Sequence, residues 1–207
     1  ACTVSSRTGE ALRCHLRGRL KKDRVRILPG DVVRFSRVND DEGVVEEVLP
    51  RRSTLARPYI ANVDQVVVVA ALAEPAPSLD LVDRLLVLAH AEGLQAFIVW
   101  NKADLVTVEE AKSYQDVYDR AGFPTALVSS KADQGREELI SGLSGHLTVL
   151  AGASGVGKSS LLNWLLREER FETGAVSRRL GRGRHTTRAV QLVPMPRGGW
   201  IADSPGF

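Results

Sequence analysis

A glycine-rich segment at residues 152–159 has the residue types that bind a chain of phosphates. It reads Gly-Ala-Ser-Gly-Val-Gly-Lys-Ser, the full G-x-x-x-x-G-K-S pattern. Glycines let a backbone wrap around phosphate oxygens with its N–H groups pointing inward. Lys158 would reach the β- and γ-phosphates, and the Ser159 hydroxyl would bind Mg²⁺. An ordinary glycine-rich turn is the alternative, but the segment lies between a predicted strand and a predicted helix, as a phosphate loop must.

A second motif, Asn101-Lys102-Ala103-Asp104, directly follows a predicted strand at 96–100. The Asp104 carboxylate can accept hydrogen bonds from the N1–H and 2-amino groups of guanine, and adenine lacks both donors. Asn101 can bond the other edge of the base, and the aliphatic stem of Lys102 can lie along the ring. The four letters are a weak match alone. At the carboxyl end of a parallel strand they predict guanine specificity, so that Asp104 disfavours a P-loop kinase or ATPase.

A third segment, Ser129-Ser130-Lys131, ends another predicted strand. It fits the short loop whose backbone N–H contacts guanine O6, although a plain polar turn would have the same composition. The residues predicted to bind GTP are therefore Asn101, Lys102, Asp104, Ser129, Ser130, Lys131, Gly152, Ala153, Ser154, Gly155, Val156, Gly157, Lys158, Ser159, Ser160 and Gly206.

Two segments near the end of the sequence complete the predicted metal and γ-phosphate contacts. In Asp203-Ser204-Pro205-Gly206, Asp203 can hold Mg²⁺ through a water molecule, and the Gly206 N–H can meet the γ-phosphate. The stretch 181–188 reads Gly-Arg-Gly-Arg-His-Thr-Thr-Arg, and either Thr186 or Thr187 can complete the Mg²⁺ shell when a γ-phosphate is present. The choice between these two threonines stays open, and an ordinary surface loop is the alternative interpretation.

The residue that activates water is not obvious from the motifs. Phe207 follows Gly206, where many GTPases have a water-orienting glutamine. A phenyl ring cannot polarise water, so we expect slow intrinsic hydrolysis and a water-positioning group from elsewhere. His185 is the nearest candidate, because a neutral imidazole can orient or deprotonate water. An exposed residue or an RNA contact is the alternative for His185, and Lys158 is the other predicted catalytic residue.

Beyond about residue 64, strands and helices alternate, which predicts a parallel α/β sheet. The predicted helices are 79–91, 107–121, 136–143 and 158–167. The six predicted strands are 66–72, 96–100, 125–129, 147–151, 190–193 and 200–203. In an ordinary small GTPase the phosphate loop comes first, whereas here the base motif precedes it. The six strands correspond to strands four, five, six, one, two and three of the ordinary order, so the chain is circularly permuted.

The first part of the chain is predicted to be a small β-barrel or sandwich. Residues 11–17 place Leu12, Cys14 and Leu16 on one face and charged residues or His15 on the other, as in a half-buried strand. Turn signals precede further strands at 32–36 and 44–49. One strand and its turn carry a dense basic group, which suits RNA phosphates. The RNA-binding candidates are Arg17, Arg19, Lys21, Lys22, Arg24 and Arg26.

The distribution of charge points to a polyanionic partner. Residues 1–64 carry 13 Lys/Arg and 9 Asp/Glu, and residues 177–197 carry 6 Arg and no acidic residue. The remaining residues carry 9 basic and 16 acidic side chains, although the whole chain has a net charge of only +3. Two basic regions on an acidic body suggest a polyanion that touches both. Solvated surface charge is the alternative.

Length and composition exclude several classes of protein. The chain has 207 residues, of which 43% are hydrophobic and 26% charged, as in ordinary globular proteins. The longest apolar runs, such as 66–72, are far too short to span a bilayer, so we expect no membrane partner. The two cysteines, Cys2 and Cys14, cannot form a disulfide scaffold or a four-ligand zinc site.

The motifs resemble those of the RsgA family, the circularly permuted GTPases that depend on the small ribosomal subunit. The resemblance rests on Asn-Lys-Ala-Asp, the phosphate loop, Gly-Arg-His-Thr-Thr and Asp-Ser-Pro-Gly-Phe. It extends to Cys14–Lys22 and Leu28–Val33, which look like the OB-fold barrel of that family. It implies an OB-fold, RNA-binding barrel over residues 1–58, with an incomplete N-terminal strand. A circularly permuted G domain with a six-stranded, mostly parallel sheet would cover 59–207.

The resemblance also implies a function, ligands and partners. The implied function is hydrolysis of GTP to GDP and phosphate, with Mg²⁺ as cofactor, during late maturation of the small ribosomal subunit. The protein would bind the rRNA of that subunit, and the subunit would stimulate hydrolysis. The family normally continues into a zinc-binding domain, so we expect a fragment whose parent protein alone holds zinc. We expect a cytoplasmic monomer, or one in an organellar stroma or matrix. A GTP-binding, RNA-binding assembly factor with little hydrolysis is the alternative, which the intact Lys158, Ser159 and Asp203 disfavour.

Overall fold

The structure is a computed structural model that describes residues 1–6, 10–56, 59–167 and 190–203. Packing divides the chain into two compact units, Ala1–Asn62 and Val63–Phe207, which are described separately below. The boundary expected from the sequence, between residues 58 and 59, lies a few residues before this division.

The first unit contains a four-stranded sheet with the order β1-β2-β4-β3. Its strands are β1 (Cys2–Ser5), β2 (Ala11–Leu16), β3 (Val33–Arg37) and β4 (Glu42–Val48). Strands β2 and β4 are parallel, whereas the β1–β2 and β3–β4 pairs are antiparallel. One parallel pair among antiparallel strands is consistent with the Greek-key barrel of the OB type. A separate antiparallel ribbon is formed by β5 (Thr54–Ala56) and β6 (Tyr59–Ala61).

Alternation of side chains along β2 builds the core of this unit. Leu12 and Cys14 are fully buried, as predicted, and they pack with Val45 of β4. The basic residues that follow were expected on a strand and its turn, and this expectation is wrong. A short helix, α1 (Gly18–Lys22), carries Arg19, Lys21 and Lys22, because Leu20 packs against the core and anchors the turn of helix.

A buried ion pair anchors the turn that precedes β3. The Asp31 side chain is only 1% exposed, and it accepts hydrogen bonds from the Leu28 backbone N–H at 2.7 Å and from Arg51 Nε at 2.7 Å. Arg51 also donates to the Arg26 carbonyl at 2.7 Å. The hydrogen bond from Asp31, together with its charge, raises the pKa of Arg51 although partial burial lowers it. The guanidinium therefore connects three segments of the unit.

The second unit is built on a six-stranded sheet with the order β11-β12-β10-β7-β8-β9. All neighbouring strands are parallel except β11 and β12, which are antiparallel. This order is that of an ordinary GTPase sheet, in which strand two lies at one edge and strand six at the other. The predicted six-stranded, circularly permuted sheet is confirmed. Its strands are β7 (Gln65–Ala71), β8 (Gln95–Asn101), β9 (Thr125–Leu127), β10 (Leu147–Ala151), β11 (Gln191–Pro194) and β12 (Trp200–Asp203).

Helices cover both faces of this sheet. They are α2 (Leu79–Ala91), α3 (Val108–Arg120), α4 (Arg136–Leu143) and α5 (Lys158–Leu166). Leu139 of α4 and Leu161 of α5 pack with Val67 and Val99 on one face. Trp100, which alternates with Val99, packs against Tyr118 of α3 on the other face, with the two rings tilted by 53°. Tyr118 donates a hydrogen bond to Asp83 at 2.8 Å, which ties α3 to α2.

This architecture brings the predicted motifs together at the carboxyl ends of the parallel strands. Strand β7 is buried along its whole length and lies between β10 and β8. Because β7, β8, β9 and β10 are parallel, the loops after their carboxyl ends lie side by side. Ligands of open α/β sheets bind just outside the carboxyl ends of the strands. In the described part of the chain, no helix is both long and apolar enough to cross a membrane.

Candidate nucleotide-binding site

The phosphate loop leaves β10 and enters the first turn of α5. Gly152 has φ 144°, and a Cβ atom there would lie 2.2 Å from the Val69 carbonyl oxygen. Gly157 has φ 94°, and its Cβ would lie 2.5 Å from Asn101 Nδ2. Side chains are therefore excluded at both ends of the loop. No side chain caps α5, which leaves the N–H groups of its first turn available to an anion.

Lys158 lies at the start of α5, and its ammonium group is held inside the loop. Nζ donates hydrogen bonds of 2.7 Å to the carbonyl oxygens of Gly152 and Ala153. Burial lowers the pKa of Lys158. A partly desolvated cation at this position has a strong electrostatic attraction for phosphate oxygens, because water screens it poorly.

Asn101, the last residue of β8, links the base motif to the phosphate loop. Its side chain is nearly fully buried, and Nδ2 donates to the Val156 carbonyl at 2.9 Å. Its buried Oδ1 atom has no hydrogen-bond partner among the described residues. An amide nitrogen carries two protons, so one remains for a base acceptor. The base motif and the phosphate loop are therefore in direct contact.

Lys102 adds a second connection between the same loops. The residue is in the left-handed region, with φ 61°. Its Nζ donates to the Gly155 carbonyl at 3.0 Å and also to the Glu74 carbonyl. These contacts stretch the Lys102 stem between the phosphate loop and the loop after β7. The contribution of Glu74 was not predicted, because a backbone carbonyl in a loop has no sequence signature.

Asp104 is oriented by the third predicted loop. Ser129 is fully buried, and its Oγ donates to Asp104 Oδ1 at 2.5 Å. Ser129 Oγ in turn accepts from the Ala132 N–H at 3.0 Å, and Ser129 exchanges two backbone hydrogen bonds with Gln134. The sequence indicated a backbone contact to guanine here but missed the role of Ser129 as a support for Asp104. Ser130 and Lys131 lie in the same loop, and their contacts to guanine remain predictions.

Arg136 is a further supporting residue that no motif indicated. Its Nε donates to the Trp164 carbonyl at 3.2 Å, and Nη2 donates to the Leu165 carbonyl at 2.5 Å. A cation at the carboxyl end of a helix satisfies carbonyl groups that lack partners within the helix. The first residue of α4 thus holds the last turn of α5, the helix that begins at the phosphate loop.

Part of the predicted site lies outside the described residues. These are the catalytic candidate His185, the Mg²⁺ candidates Thr186 and Thr187, the side chain of Asp203, and Gly206. The backbone of β12 is described, and it pairs with β10 just before the phosphate loop, with Ala202 opposite Val149. Ser159 and Ser160 lie in the first turn of α5 beside Lys158, and Ser154 lies within the loop. A hydroxyl oxygen such as that of Ser159 suits Mg²⁺.

In the first unit, all six RNA-binding candidates are exposed. Arg17 lies 3.6 Å from Glu46, Arg19 lies 3.9 Å from Asp23, and Arg26 stacks 4.5 Å above the Tyr59 ring. The other three, Lys21, Lys22 and Arg24, have no ion pair within the described ranges. A group of uncompensated cations on and after α1 can attract a polyanion.

Comparison with known proteins gives the family. The model of the RsgA GTPase family matches residues 48–207, and that of the RsgA N-terminal domain matches residues 2–45. The chain belongs to the RsgA GTPase family. The fold class and the GTPase activity predicted from the motifs are thereby confirmed, and the chain is a guanine-nucleotide-binding protein.

Individual RsgA relatives and solved structures of similar proteins also match this chain. It is 47% identical over 199 residues to the small ribosomal subunit biogenesis GTPase RsgA of Moorella thermoacetica, covering 96% of this chain and 68% of the relative. It is 48% identical over 202 residues to that of Carboxydothermus hydrogenoformans, covering 97% and 69%. The crystal structure of YjeQ from Thermotoga maritima matches with TM-score 0.81 and 36% identity, over 99% of this chain and 70% of that one. YloQ, described as a circularly permuted GTPase, matches with TM-score 0.77 and 36% identity, over 98% and 65%.

Proposed function

We propose that this GTPase acts during late maturation of the small ribosomal subunit, that it binds the rRNA of that subunit, and that the subunit stimulates its hydrolysis of GTP. The proposal rests on one observation, that three loops meet at the carboxyl ends of the parallel strands. Two side-chain hydrogen bonds join them, from Asn101 to Val156 and from Ser129 to Asp104. A site assembled in this way can bind the base and the phosphates of one nucleotide at the same time.

Guanine selection rests on Asp104. Its carboxylate accepts one bond from Ser129, and an ionised carboxylate has further lone pairs for the N1–H and 2-amino groups of guanine. Asn101 presents its remaining amide proton to the other edge of the base. Because adenine offers no donors that match Asp104, the site prefers GTP and GDP over adenine nucleotides.

The phosphate half of the site rests on Lys158 and the first turn of α5. Lys158 exchanges its bonds to the Gly152 and Ala153 carbonyls for bonds to the β- and γ-phosphates. Ser159 holds Mg²⁺, with Asp203 and either Thr186 or Thr187 as the other protein groups. Bound Mg²⁺ neutralises charge that develops on the phosphate oxygens during hydrolysis.

The first test compares hydrolysis with purified small subunits, with large subunits, and with neither. We expect slow turnover alone and strong stimulation by the small subunit only. Lys158→Ala should abolish both rates, which excludes a contaminating GTPase. Tight GTP binding without hydrolysis under any condition would support an assembly factor that only binds GTP, and equal stimulation by both subunits would overturn the proposed specificity.

Binding to rRNA is proposed for the basic group on and after α1. The test is Lys21→Ala/Lys22→Ala, which removes two exposed cations without an ion pair in the described part of the chain. The matched control is Arg34→Ala/Arg37→Ala, which removes the same charge from β3, where both residues pair with acidic side chains. We expect the first variant to weaken small-subunit binding. The slope of log K against log salt concentration should fall in magnitude by about one for each phosphate that the protein no longer binds. Equal effects of both variants would indicate a nonspecific charge effect.

The catalytic role of His185 is proposed from the sequence alone. Single-turnover hydrolysis by His185→Ala, with and without small subunits, tests it. We expect the stimulated rate to fall by about 10²–10⁴-fold, the range of general acid–base contributions. An unchanged stimulated rate would remove His185 from the reaction. Thr186→Ala and Thr187→Ala in the same assay should identify the Mg²⁺ ligand, because only its loss should make the rate depend steeply on Mg²⁺ concentration.

We also propose that the chain acts as a monomer, in the bacterial cytoplasm or in the stroma or matrix of an organelle. Light scattering across a range of protein concentrations tests the first statement, and fractionation of the source cells tests the second.

A further inference from the structure

Two thiols face each other across neighbouring strands of the first unit. Cys2 of β1 and Cys14 of β2 are directly opposed partners in an antiparallel pair. In such pairs the Cα atoms are about 4.5–5.5 Å apart, and this separation falls inside the range of about 4.4–6.8 Å found for disulfides. The Cys2 Sγ lies 3.7 Å from the Cys14 carbonyl oxygen. Opposed residues share a sheet face, and both cysteines pack in one cluster with Leu12 and Val45.

The two thiols differ in their exposure. Cys14 is fully buried, whereas Cys2 is half-buried. Burial raises the pKa of the Cys14 thiol, and the neighbouring Cys2 raises it further, as expected for two sulfur atoms that lie close together. A reagent from solvent therefore meets Cys2 before Cys14.

We propose that Cys2 and Cys14 form an oxidation site, in which a peroxide converts the two thiols into one intramolecular disulfide. The Cys2 thiolate attacks one oxygen of hydrogen peroxide, which breaks the O–O bond and releases hydroxide, and Cys2 becomes a sulfenic acid. The Cys14 sulfur then attacks the Cys2 sulfur and displaces its oxygen, which leaves as water with the Cys14 proton. Each sulfur loses one electron overall, and the peroxide gains two.

The bond would fasten β1 to the sheet. Strand β1 pairs only with β2 among the described strands, so the contact between these two strands holds it in place. A disulfide there closes the loop of residues 3–13 and restricts the unfolded chain. Arg13 and His15 are exposed and alternate with Cys14, so they stay on the solvent face when the disulfide forms. Oxidation should therefore stabilise the first unit without removing its basic groups.

The test oxidises the reduced full chain with hydrogen peroxide, blocks the remaining thiols and measures intact and peptide masses. We expect a monomer whose mass is lower by two hydrogens, loss of both free thiols, and one cross-linked pair of peptides that contains Cys2 and Cys14. Dithiothreitol should restore both thiols, and the melting temperature of the oxidised protein should be higher.

Two variants separate the proposed order from simple thiol damage. Cys14→Ser should add oxygen at Cys2 and lose no hydrogens. Cys2→Ser should leave Cys14 reduced, with oxidation slower by about tenfold or more because that thiol is buried. Circular dichroism of each variant checks that it is folded. The proposal is overturned if Cys2 accumulates as sulfinic acid beside a free Cys14, if the disulfide forms between two chains, or if neither thiol reacts.

Discussion

Asn101 donates a buried 2.9 Å hydrogen bond from its side-chain amide to the backbone carbonyl of Val156, 55 residues further along the chain. The bond joins the last residue of β8 to the phosphate loop. Strand β7 lies between β8 and β10, so the loops after these two strands meet above its carboxyl end. The part of the site proposed to bind the base and the part proposed to bind phosphates are therefore joined by a direct hydrogen bond.

Removing this connection should weaken nucleotide binding as a whole. In Asn101→Ala, the buried Val156 carbonyl loses its partner, a loss that costs about 1–3 kcal/mol. The variant also loses the amide proposed to bond the base, and we expect the Kd for GDP to rise by about tenfold, the effect of losing one such hydrogen bond. Titration with a fluorescent GDP analogue measures it. Gln95→Ala, at the exposed opposite end of β8, is the control that should bind normally. Unchanged affinity in Asn101→Ala would show that the connection carries no binding energy.

Gly157→Ala should destabilise the nucleotide-free protein by a clash with Asn101. The new Cβ would lie 2.5 Å from Asn101 Nδ2, at a residue with φ 94°. Gly122→Ala is the matched control, because Gly122 has φ 88° and open space around its Cβ position. Both variants should incur the left-handed backbone cost of about 1–2 kcal/mol, and only Gly157→Ala should exceed it.

A double-mutant cycle identifies the atoms that clash. Adding Asn101→Ala to Gly157→Ala removes the side chain that the new methyl group meets. In urea unfolding, the double variant should lose less free energy of unfolding than the two single variants lose in total. Additive effects would mean that the clash involves the backbone instead.

Ser129→Ala should lower the affinity for guanine while the charge of Asp104 is kept. Ser129 orients Asp104 through a 2.5 Å hydrogen bond, and the hydroxyl bond to an ionised group contributes about 1.5–3 kcal/mol. We expect GDP to bind about tenfold more weakly or worse. Ser141→Ala, at an exposed position of α4, should change little. Asp104→Asn should instead shift the preference from GTP towards xanthosine triphosphate, and failure of this shift would contradict the role of Asp104.

The stability of the nucleotide-free protein should depend on alkaline pH through Lys158. Burial lowers the pKa of this lysine below its ordinary value of 10.5, so the unfolded chain binds the proton more tightly than the folded one. Between these two pKa values the unfolded state holds more protons, and the free energy of unfolding therefore rises with pH. Thermal melts of the wild-type chain and of Lys158→Met from neutral to alkaline pH measure it. The wild-type chain should gain stability relative to the variant, and parallel curves would exclude the effect.

Arg51→Ala should destabilise the first unit more than the loss of an exposed ion pair. Asp31 would remain buried without its two bonds from Arg51, which costs about 1–3 kcal/mol. Arg34→Ala is the control, because Arg34 and Glu47 are both largely exposed and such pairs contribute about 0–1 kcal/mol. Denaturant unfolding compares the two. Similar losses would mean that solvent replaces the Arg51 contacts.

The sequence alone determined the chemistry of the site and the order of its parts. The phosphate loop, the base motif and the Ser129 loop are short, contiguous patterns whose spacing is local, so they can be read without a fold. Helices α2 and α4 begin and end at the predicted residues, and each has one buried apolar face. Helix α1 and the short strands β5 and β6 were missed, since α1 has no side-chain cap and the two strands depend on pairing with each other.

Only the tertiary structure decided which residues support the site. The contacts from Asn101 to Val156, from Lys102 to Glu74, and from Ser129 to Asp104 each join segments that are 25 or more residues apart. Such contacts depend on which strands are neighbours in the sheet and on which atoms their loops bring together, and the sequence encodes neither at any fixed spacing. The facing thiols of Cys2 and Cys14 have the same origin, because a strand register is set by the whole sheet and its core.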